Sequence, residues 1–161
     1  GARDAGAEVE IFNLEGMNIQ PCTACDACQD DVVDDCILED GMQQIYPRLR
    51  QADALVIASP TYWFTINAQT KIFIDRLYAV VRSGRNDLSG KKIGIILTYG
   101  DSDPFKAGAV NALRAFQDMF TYIGAEICGM VYGTALHPGE AQKQKGLMEE
   151  AYQLGQKLGK W

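Results

Sequence analysis

The strongest constraint on the fold is a set of short apolar runs that do not alternate. Ala54–Ser59 reads Ala-Leu-Val-Ile-Ala-Ser, and Lys92–Thr98 contains Ile-Gly-Ile-Ile-Leu. A strand with one face in water alternates apolar with polar, whereas a continuous run fits a strand buried on both faces of a parallel sheet. Val9–Leu14 and Glu126–Tyr132 have the same character, so four strands are predicted. Helical spacing separates them: Phe73, Leu77 and Val80; then Val110, Leu113, Phe116, Phe120 and Ile123; then Leu147, Ala151, Leu154, Leu158 and Trp161. Apolar residues three or four apart form one helix face. Strand and helix in alternation predict one doubly wound α/β domain over 1–161.

A further helix is predicted over Gly41–Arg50, with Met42, Ile45 and Leu49 on one face and Pro47 expected to kink or divide it. The opening residues, 1–6, look like the last turn of a helix stopped by Gly6. A domain seldom begins there, so an upstream strand and most of a helix are expected to be missing from the chain. The formal charge of −6 argues against nucleic acid as a partner. No window approaches the ~20 apolar residues of a membrane span, and no signal peptide is recognised, so a cytoplasmic protein without membrane contact is expected.

Most predicted connections are short, but about two dozen residues from Glu15 to Glu39 carry no clear period. Such a loop in a compact domain is usually functional or disordered. It holds four of the five cysteines, Cys22, Cys25, Cys28 and Cys36, spaced C-x2-C-x2-C-x7-C. The first three match the opening of the bacterial iron–sulfur run, and the fourth arrives later than that motif's three-residue gap. Spare thiols, zinc or a disulfide are the plainer readings, although zinc sites usually set two cysteine pairs well apart. Cys128, in mid-strand, reads as a small buried hydrophobe. The loop is expected at the carboxyl edge of the sheet, where ligands bind in open α/β folds.

The second candidate site follows the Ala54 strand: Pro60-Thr61-Tyr62-Trp63-Phe64-Thr65-Ile66-Asn67. Three consecutive aromatics spilled from a strand end, interleaved with Thr61, Thr65 and Asn67, offer the flat walls and few polar groups that an isoalloxazine ring requires. A core or subunit-contact patch is the alternative for the aromatics, and Asn67 or Thr65 can equally cap the next helix. Tyr99-Gly100-Asp101-Ser102 leaves the next strand at the same edge. Lys71, Asp75 and Arg76 read as helix-surface ion-pair residues. His137, the single histidine, is assigned no role.

Ser59-Pro60-Thr61-Tyr62-Trp63 together with Lys71-x3-Asp75-Arg76 resembles the flavodoxin-like NADPH-dependent FMN reductases. The cysteine run before Glu39-Asp40-Gly41-Met42 resembles their iron–sulfur flavoprotein branch. The resemblance implies a sheet of order 2-1-3-4-5, FMN held by Pro60–Phe64, Thr65, Asn67 and Tyr99–Ser102, and a [4Fe–4S] cluster on the four cysteines. It also implies an FMN-dependent oxidoreductase using NAD(P)H, with small-molecule or small redox-protein donors and acceptors, working as a homodimer or homotetramer. The family's phosphate-binding turn after the first strand has no counterpart in this sequence. Five acidic residues, Asp26, Asp30, Asp31, Asp34 and Asp35, crowd the cysteines and are expected to hold a cluster's potential low. A cluster-free NAD(P)H:FMN or quinone reductase is the first rival, and a cofactor-free receiver-like binding domain the second.

Overall fold

Parallel β-strands with helices on both faces form the core of the computed structural model, which describes residues 1–30, 32–82 and 84–160. Asp31 and Trp161, both named in the sequence reading, lie outside the described residues. In chain order the elements are α1 (Met42–Gln51), β1 (Ala54–Tyr62), β2 (Thr65–Ile66), α2 (Ala68–Arg76), β3 (Val81–Arg82), β4 (Arg85–Asn86), β5 (Lys92–Tyr99), α3 (Ala109–Ile123), β6 (Glu126–Thr134), α4 (Glu140–Lys143) and α5 (Lys145–Leu158). The main sheet runs β2-β1-β5-β6, with β1, β5 and β6 mutually parallel and β2 folded back antiparallel on β1. A separate two-stranded ribbon joins β3 and β4.

The apolar runs become these parallel strands because both faces of β5 are used. Ile93, Ile95 and Leu97 join the larger core with Met42, Ile45, Leu49, Phe73, Phe116 and Phe120, so α1, α2 and α3 share one face. Ile96 turns the other way, into a smaller cluster with Val131, Leu154 and Leu158 beneath α5. Gly94 lets α5 close in, since a Cβ there would stand 2.9 Å from Leu158 Cδ1.

Two expectations are corrected. Val9–Leu14 is not a strand: residues 7–13 carry no ladder, and Leu14 already belongs to a single 3-10 turn. Its apolar pattern is real, because Phe12, Leu14, Met17 and Ile19 pack against the core. A ladder needs a neighbour, however, and no strand among the described residues pairs with this segment. Among the described residues only β2 pairs with that edge of β1, and Val56 stays 47% exposed on the uncovered face. Secondly, Pro47 does not divide α1, which runs unbroken through it with Ile45, Tyr46 and Leu49 buried. The opening residues form the expected turn, Arg3–Ala5, stopped by Gly6 in the left-handed region. Among the described residues no helix is long and apolar enough to cross a membrane.

Phe116 and Phe120 stack at 6.4 Å with 1% and 0% exposure. Phe120→Ala is expected to cost about 3–5 kcal/mol, read as a lower urea midpoint at unchanged slope.

Candidate functional site

Parallel pairing of Pro60 with Thr98 puts the ends of β1 and β5 side by side, so their following segments share one edge. β1 does not stop at Ser59 but continues to Tyr62, then reverses within two residues, with Tyr62 opposite Thr65. The turn residues Trp63 and Phe64 have φ of +50° and +68°. Such hairpins favour Asn-Gly, because side chains with a Cβ are strained at positive φ. Two aromatics in this position, with Trp63 92% exposed, are an arrangement that stability alone does not favour.

The surroundings hold the turn in place. Gly108, at φ +72°, lies so close that a Cβ there would come within 2.5 Å of Phe64 Cα, and Asn111 Nδ2 donates to Phe64 O at 3.1 Å. Asn67 Oδ1 accepts from Thr70 N at 3.1 Å and so caps α2, while Ser59 Oγ donates to the same oxygen at 3.2 Å. The capping alternative for Asn67 is therefore realised. Thr61 Oγ1 is buried with no hydrogen-bond partner among the described residues. On the β5 side Tyr99 is buried, and its carbonyl accepts from Ala135 N at 2.7 Å. Gly100, Asp101 and Ser102 are exposed, and so is Thr65 on β2. The Asp103 amide, helped by the Ser102 groups, holds the Asp101 carboxyl below its ordinary range. The structure thus brings Pro60–Phe64 and Tyr99–Ser102 to one edge. Sequence reasoning missed Gly108 and Asn111, for which a glycine ahead of an amphipathic helix was the available signal.

The cysteine loop lies elsewhere. Arg82 on β3 donates to the carbonyls of Cys28, Asp30 and Val33, and Gln29 Nε2 donates to Tyr78 O. The β3–β4 ribbon is itself fastened to the C-terminal end of α3, through Asn86 Nδ2 to Ile123 O. That end leads into the start of β6, and the ribbon leads into the start of β5, so both mark the amino edge of the sheet. The expected place at the carboxyl edge is therefore corrected. Arginines on the ribbon and on α1 draw the loop to the opposite end. They also offset its acidity: Arg50 and Arg85 meet Asp87, Arg50 pairs with Asp35, and Arg85 reaches Asp34 at 3.4 Å.

Cys22 and Cys25 are exposed, Cys36 is half-buried and Cys28 is buried. Ala24 and Asp26, flanking Cys25, both take positive φ, at +53° and +56°. Burial foremost, then the nearby charges of Cys36 and Cys22, pushes the Cys28 thiol up. The Ala27 amide, then the Thr23 hydroxyl, pulls Cys25 down. Among the described residues no three of the Cys, His, Asp or Glu side chains are gathered at metal-binding distance.

The family profile described as NADPH-dependent FMN reductase matches residues 1–132. The chain belongs to that family. An iron–sulfur flavoprotein of Methanosarcina thermophila is 30% identical over 128 residues, covering 80% of this chain and 64% of the relative. One from Archaeoglobus fulgidus is 32% identical over 158 residues, covering 96% and 66%. The chain thus spans a little under two-thirds of the length of these relatives. The solved Trp repressor binding protein of Bacillus subtilis superposes with a TM-score of 0.64 at 28% identity, covering 73% of this chain and 71% of its own. The flavodoxin-like fold is thereby shown, and similarity to iron–sulfur flavoproteins agrees with the branch expected from the cysteine run.

For an FMN reductase family member the residues at the carboxyl edge fit a flavin. Exposed aromatics, held strained from behind, stand beside a buried hydroxyl that lacks an acceptor. The cysteines fit an iron–sulfur cluster in number and kind, and Cys28 senses both Cys22 and Cys36, although the sulfurs are not drawn together.

Lys71 and Asp75 form the expected exposed ion pair at 2.6 Å, but Arg76 is not on the surface. Its side chain is 1% exposed and pairs with Asp40, 0% exposed, at 2.5 Å. Arg76 also donates to Gln20 O at 2.8 Å, and Asp40 accepts from the amides of Gln20 and Met42, both at 2.9 Å. One buried pair therefore grips both roots of the cysteine loop. Helical spacing alone could not show this, because the partner is 36 residues away.

Burial works to raise the Asp40 pKa, but the Arg76 and amide hydrogen bonds outweigh it and hold the carboxyl below its ordinary range. A depressed carboxyl stabilises the fold above its unfolded value of roughly 3.9 and loses that contribution as pH falls through the folded value. Asp87, held down against burial by Arg85 and Arg50, acts in the same direction. Asp40→Asn is expected to cost about 3–5 kcal/mol and to flatten the loss of stability below about pH 4, measured by urea unfolding across pH.

Proposed function

We propose that this protein is an FMN-dependent oxidoreductase whose flavin site is the carboxyl edge formed by Pro60–Phe64, Thr65, Asn67 and Tyr99–Ser102. The observation that carries the reading is the strained hairpin. Positive φ at Trp63 and Phe64 costs stability, and presenting aromatic faces at the ligand edge is the return on that cost. Family membership supports FMN as the cofactor, and a Bacillus subtilis relative named as a putative NAD(P)H-dependent FMN-containing oxidoreductase supports a nicotinamide donor.

Bound flavin would supply hydride acceptance and the release of electrons one at a time. The chain's own part is to bind and orient. Tyr62, Trp63 and Phe64 would wall the ring and exclude water from one side. Thr61 Oγ1, without a partner among the described residues, would be available to hydrogen-bond the flavin. The Tyr99–Ser102 segment would close the opposite side, its backbone steadied by Thr134 Oγ1 donating to Asp101 O at 2.7 Å. Asn67 acts through its cap on α2, which fixes where the hairpin returns. No side chain is needed as acid or base, consistent with a site of aromatics and hydroxyls.

The four cysteines would hold a [4Fe–4S] cluster that exchanges single electrons with the flavin. In one chain the loop and the hairpin lie toward opposite edges of the sheet. The flavin served by this loop would then belong to a second copy in a homo-oligomer working in the cytoplasm. A cluster-free NAD(P)H:FMN or quinone reductase is the second reading, favoured by the ungathered sulfurs.

Protein purified without oxygen should show paired flavin bands with iron and acid-labile sulfide in equal amounts. Flavin without iron would leave the cluster-free reductase, and a colourless protein indifferent to FMN would sink both. Trp63→Ala should weaken FMN binding about three- to tenfold, as expected for one lost aromatic contact. Thr61→Val should move two quantities in opposite directions. It removes an unpaired buried hydroxyl, so the flavin-free protein should melt higher, while FMN should bind more weakly by about 1 kcal/mol. Calorimetry on both forms reads both signs.

A further inference from the structure

The seven-residue spacer between Cys28 and Cys36 is the feature of the cysteine run that the function has not absorbed. A three-residue gap returns a chain to the same centre by its covalent length alone. Eight peptide steps can span roughly 26 Å when extended, so the longer spacer needs something to turn it back. The structure has an arginine there. Arg82 Nη1 lies 3.3 Å from Cys28 O, 2.9 Å from Asp30 O and 2.7 Å from Val33 O, all three as acceptors. Carbonyls from successive parts of the spacer thus converge on one guanidinium nitrogen. Arg50 Nη2 takes the next carbonyl, Asp34 O, at 3.2 Å, and Gln43 Nε2 takes Cys36 O and Leu38 O at 2.7 and 2.8 Å.

The platform beneath Arg82 has anchors outside the loop, besides the Arg85 contact to Asp34. Val81 pairs with Asn86 and Arg82 with Arg85. Asn86 is held by Ile123 O and by the amides of Leu88 and Ser89, and Asp87 N donates to Val80 O at 2.9 Å. The backbone that carries Arg82 is therefore anchored to the rest of the fold, and the spacer carbonyls meet on its guanidinium.

We propose that Arg82 is the positioning residue of the cysteine loop: by gathering the carbonyls of Cys28, Asp30 and Val33 on its guanidinium it turns the chain that leads to Cys36 back toward Cys28. It touches no sulfur and acts only through backbone carbonyls. This rests on reading the loop as the cluster-binding segment, but the shape it imposes exists without a cluster and can be measured without one.

The test compares Arg82→Met and Arg82→Lys in the parent chain and in a chain whose spacer is shortened from seven residues to three. Iodoacetamide labelling of Cys28 in metal-free protein, followed by mass spectrometry, reports loop closure. Iron per chain after oxygen-free reconstitution reports ligation, and circular dichroism with FMN titration reports the rest of the fold. In the parent, Arg82→Met should raise the labelling rate about tenfold, the equivalent of one lost charge-assisted hydrogen bond, and should lower iron retention. Circular dichroism and FMN affinity should not move. Lysine, with three N–H donors for three carbonyls, should recover most of the protection. In the short-spacer chain Arg82→Met should change neither labelling nor iron.

Unchanged Cys28 protection in the parent Arg82→Met variant would overturn the proposal. So would equal sensitivity in the short-spacer chain, or unfolding of both chains by Arg82→Met, because the residue would then serve the fold rather than the spacer. If the parent takes up no iron at all, the cluster reading fails, and labelling still decides the role of Arg82.

Discussion

The buried ion pair of Arg76 and Asp40 is the interaction on which the rest of the architecture depends. Both side chains are out of water, so each would be costly alone, and the pair is tolerable because hydrogen bonds satisfy most of what remains. Three of those bonds come from or go to Gln20 and Met42, which bracket the cysteine loop. Arg76 is also the last residue of α2, and its carbonyl accepts from the buried Tyr46 hydroxyl of α1 at 3.2 Å. A single charge pair therefore joins two helices and both roots of the longest loop. Such a pair contributes little net stability compared with apolar packing, but it permits very few alternative arrangements. Its Nε is buried without a partner among the described residues.

A division of labour follows from parallel strands. All strand ends of one sense emerge at one edge, so the aromatic hairpin and the Tyr99 segment meet there without any special device. The cysteine loop is drawn to the other edge by charge. Arg50, Arg82 and Arg85 stand on α1 and on the β3–β4 ribbon, and each takes carbonyls or carboxylates from the loop. The acidity that looks unfavourable for an anionic centre is thus partly matched by cations supplied from other elements. Backbone strain marks both sites, at Ala24 and Asp26 in the loop and at Trp63 and Phe64 in the hairpin. Among the described residues other than glycine these are the positions with positive φ, and all four fall in the two candidate sites.

Much of the fold was legible in the chain, and the exceptions share a cause. The β1, β5 and β6 strands are nearly where unbroken apolar runs place them, because burial on both faces leaves a local compositional mark. Val9–Leu14 has the same mark but makes no ladder, since pairing depends on a neighbour rather than on the segment itself. Pro47 leaves α1 undivided because four buried side chains hold the helix against it. Asn67 was equally readable as a cap or a ligand contact, and only the position of Thr70 N resolves the cap.

The amino-acid sequence by itself determined the parallel α/β class, the two candidate binding segments and the residue types in them. Each of these is a local pattern of period, spacing or composition. The tertiary structure decided that Arg76 is buried rather than exposed, that Trp63 and Phe64 form a strained two-residue turn, and that the cysteine loop sits opposite the hairpin. Those facts depend on partners 36 residues away for Arg76, 47 for Phe64 and about 50 for the cysteine loop. A charge or carbonyl carries no mark in the sequence of which distant group will meet it, so pairings of this kind become visible only once the chain has closed on itself.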